Sequence, residues 1–428
     1  MMRNPCLATW LCLLGLFLLA VPATAQQQPP GPNFLAQLLQ ADTSRVMKKV
    51  LAARENYRMQ IIYTRIDRDS LNHPHFTSYS MDADQYYYYC ASMIKLPAVI
   101  LSLEKLNNLY PEYHVTKFDS LVFKEYWSEN LNAAIMMDTS ANPCIAQYAK
   151  EIFLVSNNAA FNPLYDFLGQ QYFADRAHEL GLNSVVLCSH FAGLDTFENR
   201  ITNPYGLFDR KTKKEKYYSE PRLNRTQPRY QGPLNPVVGN QVKKYGKVVF
   251  DAHDFTYANY VSLSDLNRLI REIMFPESQP DSQRINLSKS DYEFLHKYMS
   301  MFPREARYPA YDTSYHDNIV KYFIQDSTGR IPRGFRDFNK VGWAYGFLTD
   351  CSYFQDTIHH VEFLLSASIF SKDNNTYDGH YDYFTTGLPF LHRLFHDIYT
   401  YELKRPRKYQ PVFEKIIYQD DLLPAKMK

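Results

Sequence analysis

A serine and a lysine three residues apart form the pattern in this chain that is best suited to covalent chemistry. They are Ser92 and Lys95, in the segment CASMIKLP at 90–97. A serine hydroxyl is a weak nucleophile at neutral pH and needs a base within hydrogen-bond reach. In a helix, positions i and i+3 lie on one face, about 5–6 Å apart at Cβ, and a desolvated lysine there can take the proton. The pair therefore indicates a nucleophile and its base within one helical turn.

The same spacing recurs at Ser102 and Lys105, so the spacing alone is not specific. Ser92 follows an aromatic run at 86–89 and begins the helix, where its backbone N–H is still free to donate. Ser102 falls in mid-helix, where its N–H is already used. We therefore interpret Ser102 as a solvent-facing helical serine and Ser92 as the candidate nucleophile.

An acylating serine also needs a proton relay to the leaving group and donors for the oxyanion. Ser156 and Asn158 lie at a polar break between two helical segments. The Ser156 hydroxyl can pass a proton, and the Asn158 amide can anchor the lysine and a substrate carbonyl. A helix cap explains this Ser-x-Asn pattern equally well.

A second lysine stands near the start of a late strand, in Lys340-Val341-Gly342-Trp343. Lys340 on an inner sheet edge can attract a substrate carboxylate, and Gly342 permits a close approach of the substrate to the backbone. The N–H of Trp343 can pair with that of Ser92 as an oxyanion hole. Taken alone, this segment is also an ordinary strand.

Ser-x-x-Lys, Ser-x-Asn and Lys-x-Gly in this order resemble the motifs of the penicillin-recognising serine hydrolases, most closely the class A β-lactamases. The resemblance extends from the first strand near residue 59 to the terminal helix near residue 401. It implies an acylated nucleophile at Ser92, its base or base-assistant at Lys95, a proton relay at Ser156, and substrate-binding residues at Asn158, Lys340, Gly342 and Trp343. By spacing, Trp127 is similar to the aromatic residue that lines the rim of the site in this family.

Three positions depart from the family pattern. Asn157 replaces the aspartate of the middle motif, which we expect to affect local structure more than chemistry. Val341 replaces a threonine, and losing a hydroxyl that binds a substrate carboxylate costs about 1 kcal/mol or more. In the family, a glutamate activates the hydrolytic water. The candidate for this glutamate here is Glu198, although the sequence around it lacks the family's local motif. Glu198 is equally well explained as a surface carboxylate paired to Arg200.

The periodicity of apolar residues predicts an α+β fold. Strands are expected at 59–66, 76–81, 339–348, 351–355 and 361–370, and helices at 33–55, across 92–180, after Ser262 and at 385–401. An antiparallel sheet from the N- and C-terminal strands, flanked by helices, then packs beside a helical lobe, with a cleft between them. We expect one catalytic domain over 26–428, with surface insertions near 205–250 and 276–335.

The first 25 residues read as a cleavable signal peptide, which predicts a periplasmic or secreted protein without stable membrane insertion after cleavage. With 47 basic and 45 acidic residues, the net charge of +2 gives no field that favours nucleic acid. We expect a monomer without cofactor or metal, acting on a small-molecule or peptidoglycan-derived substrate. The four remaining cysteines are either paired, with a bridge from Cys90 to Cys351 bracing the site, or buried free thiols: Cys90, Cys144, Cys188 and Cys351.

Three functions fit the sequence. The first is β-lactam hydrolysis through an acyl-enzyme on Ser92. The second is a D-alanyl peptidase or esterase that uses the same serine but deacylates slowly. The third is a binding protein that keeps the fold without the chemistry.

Overall fold

The computed structural model describes residues 31–124, 129–130, 143–240, 242–280, 284–324, 329–420 and 422. The predicted signal peptide and Trp127 lie outside these residues.

The described helices and strands follow one another as a short helical start, a hairpin, a helical lobe, a set of small sheets and a final three-stranded meander. The helices are α1 (Phe34–Gln40), α2 (Arg45–Ala52), α3 (Lys95–Tyr113), α4 (Ile145–Val155), α5 (Phe161–Leu168), α6 (Gln170–Glu179), α7 (Leu263–Met274), α8 (Lys289–Ser300) and α9 (Leu388–Lys404). The strands are β1 (Gln60–Arg68), β2 (Pro74–Met81), β3 (Ser120–Phe123), β4 (Ile201–Thr202), β5 (Tyr205–Phe208), β6 (Glu215–Ser219), β7 (Arg222–Leu223), β8 (Val237–Val238), β9 (Val242–Lys244), β10 (Lys247–Phe250), β11 (His253–Asp254), β12 (Phe335–Ala344), β13 (Phe347–Asp356) and β14 (Val361–Phe370).

The main sheet is antiparallel and joins both ends of the chain in the order β12-β13-β14-β1-β2. Strand β14 is buried along its whole length and β13 along nearly all of it, because helices cover both faces. Helices α1, α2 and α9 share one hydrophobic core with the sheet, and α7 and the helical lobe share the other. The predicted α+β fold, with its terminal strands in one sheet and a helical lobe beside it, is confirmed.

Side-chain caps explain where several helices begin. Ser262 accepts a hydrogen bond from the backbone N–H of Asp265 at 3.2 Å and starts α7 as predicted. Ser44 does the same for α2, accepting from Met47 at 3.3 Å. The single helix expected over 33–55 is therefore two helices, because the chain stops after α1 and is capped anew at Ser44.

The late strands differ from the sequence prediction in their turn. Strand β12 ends at Ala344, and a two-residue turn of Tyr345 and Gly346 leads into β13 at Phe347. Both turn residues have positive φ, 51° and 85°, the conformation that a tight hairpin requires. The predicted strand over 339–348 therefore contains the end of one strand and the start of the next.

Two expectations about burial are wrong. Ser102 is fully buried and donates its hydroxyl to the Ala98 carbonyl at 2.7 Å, because α3 is packed on all sides at this point. The segment 276–335 is not only a surface insertion, because Leu295 and Met299 of α8 are buried in the core.

All four cysteines of the described chain are buried free thiols. The bridge from Cys90 to Cys351 is not formed, and the Cys90 thiol donates instead to the Asn259 carbonyl at 3.2 Å. Within the described residues, no helix has the length and apolar composition needed to cross a membrane.

Candidate active site

Ser92 lies in a single 3-10 turn, Ala91–Ile94, that leads directly into α3. The backbone N–H of Met93 donates to the Cys90 carbonyl at 2.9 Å, which tightens the turn. Ala91 has a φ of 47°, a left-handed conformation that costs free energy in a residue with a Cβ and is often found at functional sites. Ser92 is half-buried, while Met93 and Ile94 beside it are completely buried. A rigid turn thus presents one accessible hydroxyl.

Lys95, the first residue of α3, is completely buried. Its Nζ donates to the Ser156 carbonyl and to Asn158 Oδ1, both at 2.6 Å. Burial, and then the positive charge of Lys340, hold the pKa of Lys95 well below its usual value. A neutral amine has two hydrogens and one lone pair. Since both hydrogens have acceptors here, the lone pair remains to take a proton, as a base for Ser92 must.

Ser156 ends α4 in a left-handed conformation, with φ 56° and ψ 37°. This turn directs its carbonyl to Lys95, while its Oγ accepts a hydrogen bond from Lys340 Nζ at 2.9 Å. Ser156 therefore links the two lysines, and its hydroxyl hydrogen remains available for donation.

The neighbouring Asn157 has a structural role. Its side chain accepts from the backbone N–H of Ala159 at 2.8 Å and donates to Glu151 at 2.8 Å. These contacts hold the loop that carries Ser156 and Asn158. They agree with the expectation that the residue at 157 affects local structure.

Lys340 on β12 is 2% exposed. Burial lowers its pKa to about 7, against the opposing effect of the Asp350 charge. Besides Ser156, its Nζ contacts the Val341 carbonyl at 2.7 Å. At neutral pH this lysine is thus close to half-protonated, and an arriving anion would favour its charged form.

Gly342 packs β12 directly against the Ser92 turn. A Cβ built on Gly342 would lie 2.5 Å from the Cys90 carbonyl oxygen and 3.0 Å from Met93 Cγ. The close approach that the glycine permits is therefore to the chain's own turn, whereas the sequence suggested an approach by substrate.

Trp343 is next to Gly342 on β12, the outermost strand of the main sheet. Ala344 and Phe347 flank the two-residue turn and form a hydrogen-bonded pair, so the N–H of Trp343, one residue earlier, points away from β13. This orientation is compatible with its predicted role as an oxyanion donor. Trp343 is 37% exposed, and its ring packs on Tyr383 at a centroid distance of 4.9 Å.

Val341 does not open onto the Lys340 side of the strand. Its side chain is 1% exposed and belongs to the core that contains α9, because successive residues of a strand point to opposite faces. A threonine at 341 would point into this core as Val341 does, so its hydroxyl would not face a substrate held by Lys340. The valine therefore does not remove a substrate contact from the site.

Glu198 is not joined to the lysines. Its carboxylate accepts from Asn130 Nδ2 at 2.8 Å and from the Asp195 N–H at 3.1 Å. In the described part of the chain, no hydrogen bond connects it to Ser92, Lys95, Ser156 or Lys340. The alternative pairing with Arg200 is not formed either, since this arginine donates to the carbonyls of Asn224 and Arg225.

The loop residue that does reach Lys95 is Phe191. The lysine Nζ lies 4.8 Å from the centre of its ring, and the Phe191 N–H donates to Asn162 Oδ1 at 2.9 Å. No sequence pattern predicts this contact, because a phenylalanine in a loop has no spacing that relates it to a distant helix. Over the residues that the structure describes, no carboxylate hydrogen-bonds to Lys95.

Four of the predicted residues thus form one connected group: Lys95, Ser156, Asn158 and Lys340. Ser92 precedes Lys95 by one turn, Gly342 packs on that turn, and Trp343 follows it on the same strand. Glu198 lies outside the group, and Trp127 is not among the described residues. Within those same residues, no cluster of three or more His, Cys, Asp or Glu side chains has the arrangement of a metal site.

No family model and no curated protein matches this chain. Among solved structures, it is similar to the TLA-1 extended-spectrum β-lactamase, with 12% identity, a TM-score of 0.46, and 88% of this chain and 100% of that one covered. For PBP-A the values are 14%, 0.46, 87% and 97%. For a β-lactamase from Sphaerobacter thermophilus they are 11%, 0.47, 86% and 99%. At such identities the activity of those proteins does not transfer to this chain.

Proposed function

We propose that this protein is a serine hydrolase of the peptidase or esterase type, which forms an acyl-enzyme on Ser92 and releases the acyl group slowly. The observation that supports acylation is the state of Lys95, a buried lysine of depressed pKa whose two hydrogen bonds leave a lone pair for the Ser92 proton. We also propose that the protein acts in the periplasm or outside the cell.

In the acylation step, Ser92 Oγ attacks the substrate carbonyl carbon and its proton passes to Lys95 Nζ. The N–H groups of Ser92 and Trp343 stabilise the oxyanion. When the bond to the leaving group breaks, Ser156 Oγ gives that group a proton and regains one from Lys340 Nζ. The contact of 2.9 Å between Lys340 and Ser156 supports this relay.

The substrate expected from this arrangement is an amide or ester with a carboxylate near the reacting carbonyl. Lys340 supplies the cation that attracts the carboxylate, and the burial of its side chain strengthens the attraction in the low-dielectric site. β-Lactams and peptides with a free C-terminus both belong to this class.

Deacylation needs a base to activate water, and this requirement separates fast β-lactam hydrolysis from slow release. The position against Lys95 that a carboxylate could use is occupied by the ring of Phe191. Glu198 is held by Asn130 and by the Asp195 backbone. These contacts favour the slowly deacylating peptidase or esterase over an efficient β-lactamase.

The test is a time course of intact mass after mixing the protein with benzylpenicillin. We expect a stoichiometric adduct of one penicillin that persists for minutes or longer. Rapid disappearance of the adduct with continuous penicillin consumption would refute slow deacylation and restore the β-lactamase hypothesis. If the protein forms no adduct and also turns over no carboxylate-bearing ester or peptide, the acyl-enzyme itself is refuted.

A further inference from the structure

A cavity of about 730 Å³ is lined by α6, by the segment 183–187 and by the loop at 224–234. Its volume is within the range of small-ligand sites. None of the residues that we assign to the candidate active site belongs to its lining. The cavity is therefore a separate place at which the protein can bind a ligand.

One wall of the cavity is a short extended segment with a free edge. Val186 and Tyr260 exchange two backbone hydrogen bonds, of 2.8 and 2.9 Å. The backbone groups of successive residues in an extended segment point to opposite sides, so those of Val185 and Leu187 face away from Tyr260. Both of these residues line the cavity.

Within the described chain, the backbone of Leu187 has no hydrogen-bond partner for its N–H or its carbonyl, and the Val185 carbonyl has no donor. The next residue is satisfied, because the Cys188 N–H donates to Asn259 Oδ1 at 2.7 Å and its carbonyl accepts from Gln170 Nε2 at 3.0 Å. Leu187 is only 3% exposed, and buried backbone groups are almost always paired. An unpaired donor and acceptor on one buried residue therefore indicate a ligand that supplies both partners.

The side chains of the lining combine apolar surface with unused amides. Val185 and Leu234 supply apolar surface. The side-chain amides of Asn183 and Gln231 also line the cavity, and neither makes a hydrogen bond to another described residue. A ligand here can thus place apolar groups against one part of the wall and polar groups against another.

The charge of the lining is balanced. Its charged residues are Asp84 and Arg229, one of each sign. Asp84 already accepts a hydrogen bond from the Leu263 N–H at 3.0 Å, at the start of α7. The cavity therefore has no excess of charge that would select an ion, and an uncharged ligand fits it best.

We propose that this cavity binds an extended, uncharged peptide segment, which adds a strand to the edge at 185–187. A peptide residue presents one N–H and one carbonyl, the two groups that Leu187 lacks, and paired strands exchange such bonds between opposite residues. The peptide side chains meet the apolar wall and the free amides. This inference goes beyond the proposed function and does not depend on Ser92.

The test is an NMR titration of the protein, made with isotope-labelled leucine, with a blocked tetrapeptide of alternating threonine and valine. Leu187→Ile identifies the Leu187 amide signal by removing it. We expect the peptide to shift this signal saturably. A second peptide with methyl groups on its two central backbone nitrogens should bind about tenfold more weakly, because it leaves the buried carbonyl unpaired. If the Leu187 signal does not shift, or if both peptides bind equally well, the peptide site is overturned.

Two protein variants test where the peptide binds. Ala174→Trp adds a large ring to an exposed residue of α6 that lines the cavity, so it should abolish the shift of the Leu187 signal. Ala52→Trp adds the same ring to an exposed alanine at the end of α2, outside the lining, and should leave the titration unchanged. Unaltered peptide binding by Ala174→Trp would contradict binding in this cavity.

Discussion

Replacing Lys340 with methionine should change how the stability of the protein depends on pH. The lysine is 2% exposed, and burial lowers its pKa from 10.5 to about 7. Below pH 7 the side chain is charged in both the folded and the unfolded chain, so the folded protein bears the full cost of burying the charge. Between pH 7 and 10.5 the folded protein releases the proton while the unfolded chain keeps it. Folding is therefore favoured increasingly as the pH rises through this window.

The size of the effect follows from the same pKa values. Well inside the window, one proton is released on folding, which contributes about 1.4 kcal/mol per pH unit to the free energy of unfolding. Between pH 7 and pH 9, allowing for partial protonation at pH 7, the wild-type protein should gain about 2 kcal/mol relative to Lys340→Met. Methionine has a similar length and does not ionise, so it removes the titration without a large cavity.

The assay is urea unfolding at pH 7, 8 and 9, followed by circular dichroism. Lys289→Met is the matched control because the Lys289 side chain is 92% exposed and lies in water in both states. The unfolding free energy of the wild-type protein minus that of Lys340→Met should increase as the pH rises. The corresponding difference between the wild-type protein and Lys289→Met should stay constant. Parallel stability profiles for the wild-type protein and Lys340→Met would refute the inference that burial depresses the pKa of Lys340.

Three further predictions concern the chemistry. Gly342→Ala places a Cβ 2.5 Å from the Cys90 carbonyl and should slow Ser92 acylation about a hundredfold by displacing the turn. The rate of adduct formation measures this effect, and Gly31→Ala, with open space around it, serves as the control. Unchanged acylation by Gly342→Ala would contradict the packing argument. Phe191→Glu brings a carboxylate next to Lys95 and should shorten the adduct lifetime, measured by intact mass, about a hundredfold. An unchanged lifetime would mean that the lack of a base next to Lys95 does not limit deacylation. KM for a carboxylate-bearing ester should rise as the pH increases above about 7, where Lys340 loses its charge, while KM for the corresponding uncharged ester stays level; parallel pH profiles would contradict the role of Lys340.

The residues that the sequence could identify are those whose type and order carry information. Lys95, Ser156 and Lys340 each belong to a short motif, and the order of the three motifs along the chain predicts that they meet; their contacts join them in the structure. The cap at Ser262 was equally readable, because an N-cap serine acts on the residues that follow it directly.

What the sequence could not reveal depends on contacts between distant segments. Phe191 lies 96 residues after Lys95, and only the folded chain brings its ring against that lysine. The mid-helix position of Ser102 predicts a solvent-facing serine, whereas the packing around α3 buries it. The turn at Tyr345 and Gly346 was hidden inside an apolar and aromatic run that reads as one strand.

The most direct test of the acyl-enzyme is to locate the adduct. The wild-type, Ser92→Ala and Ser102→Ala proteins are incubated with benzylpenicillin, digested with a protease and mapped by peptide mass. We predict one adduct on the peptide that contains Ser92 in the wild-type and Ser102→Ala proteins, and none in Ser92→Ala. An adduct on any other residue, or one that survives in Ser92→Ala, would contradict the assignment of Ser92 as the nucleophile.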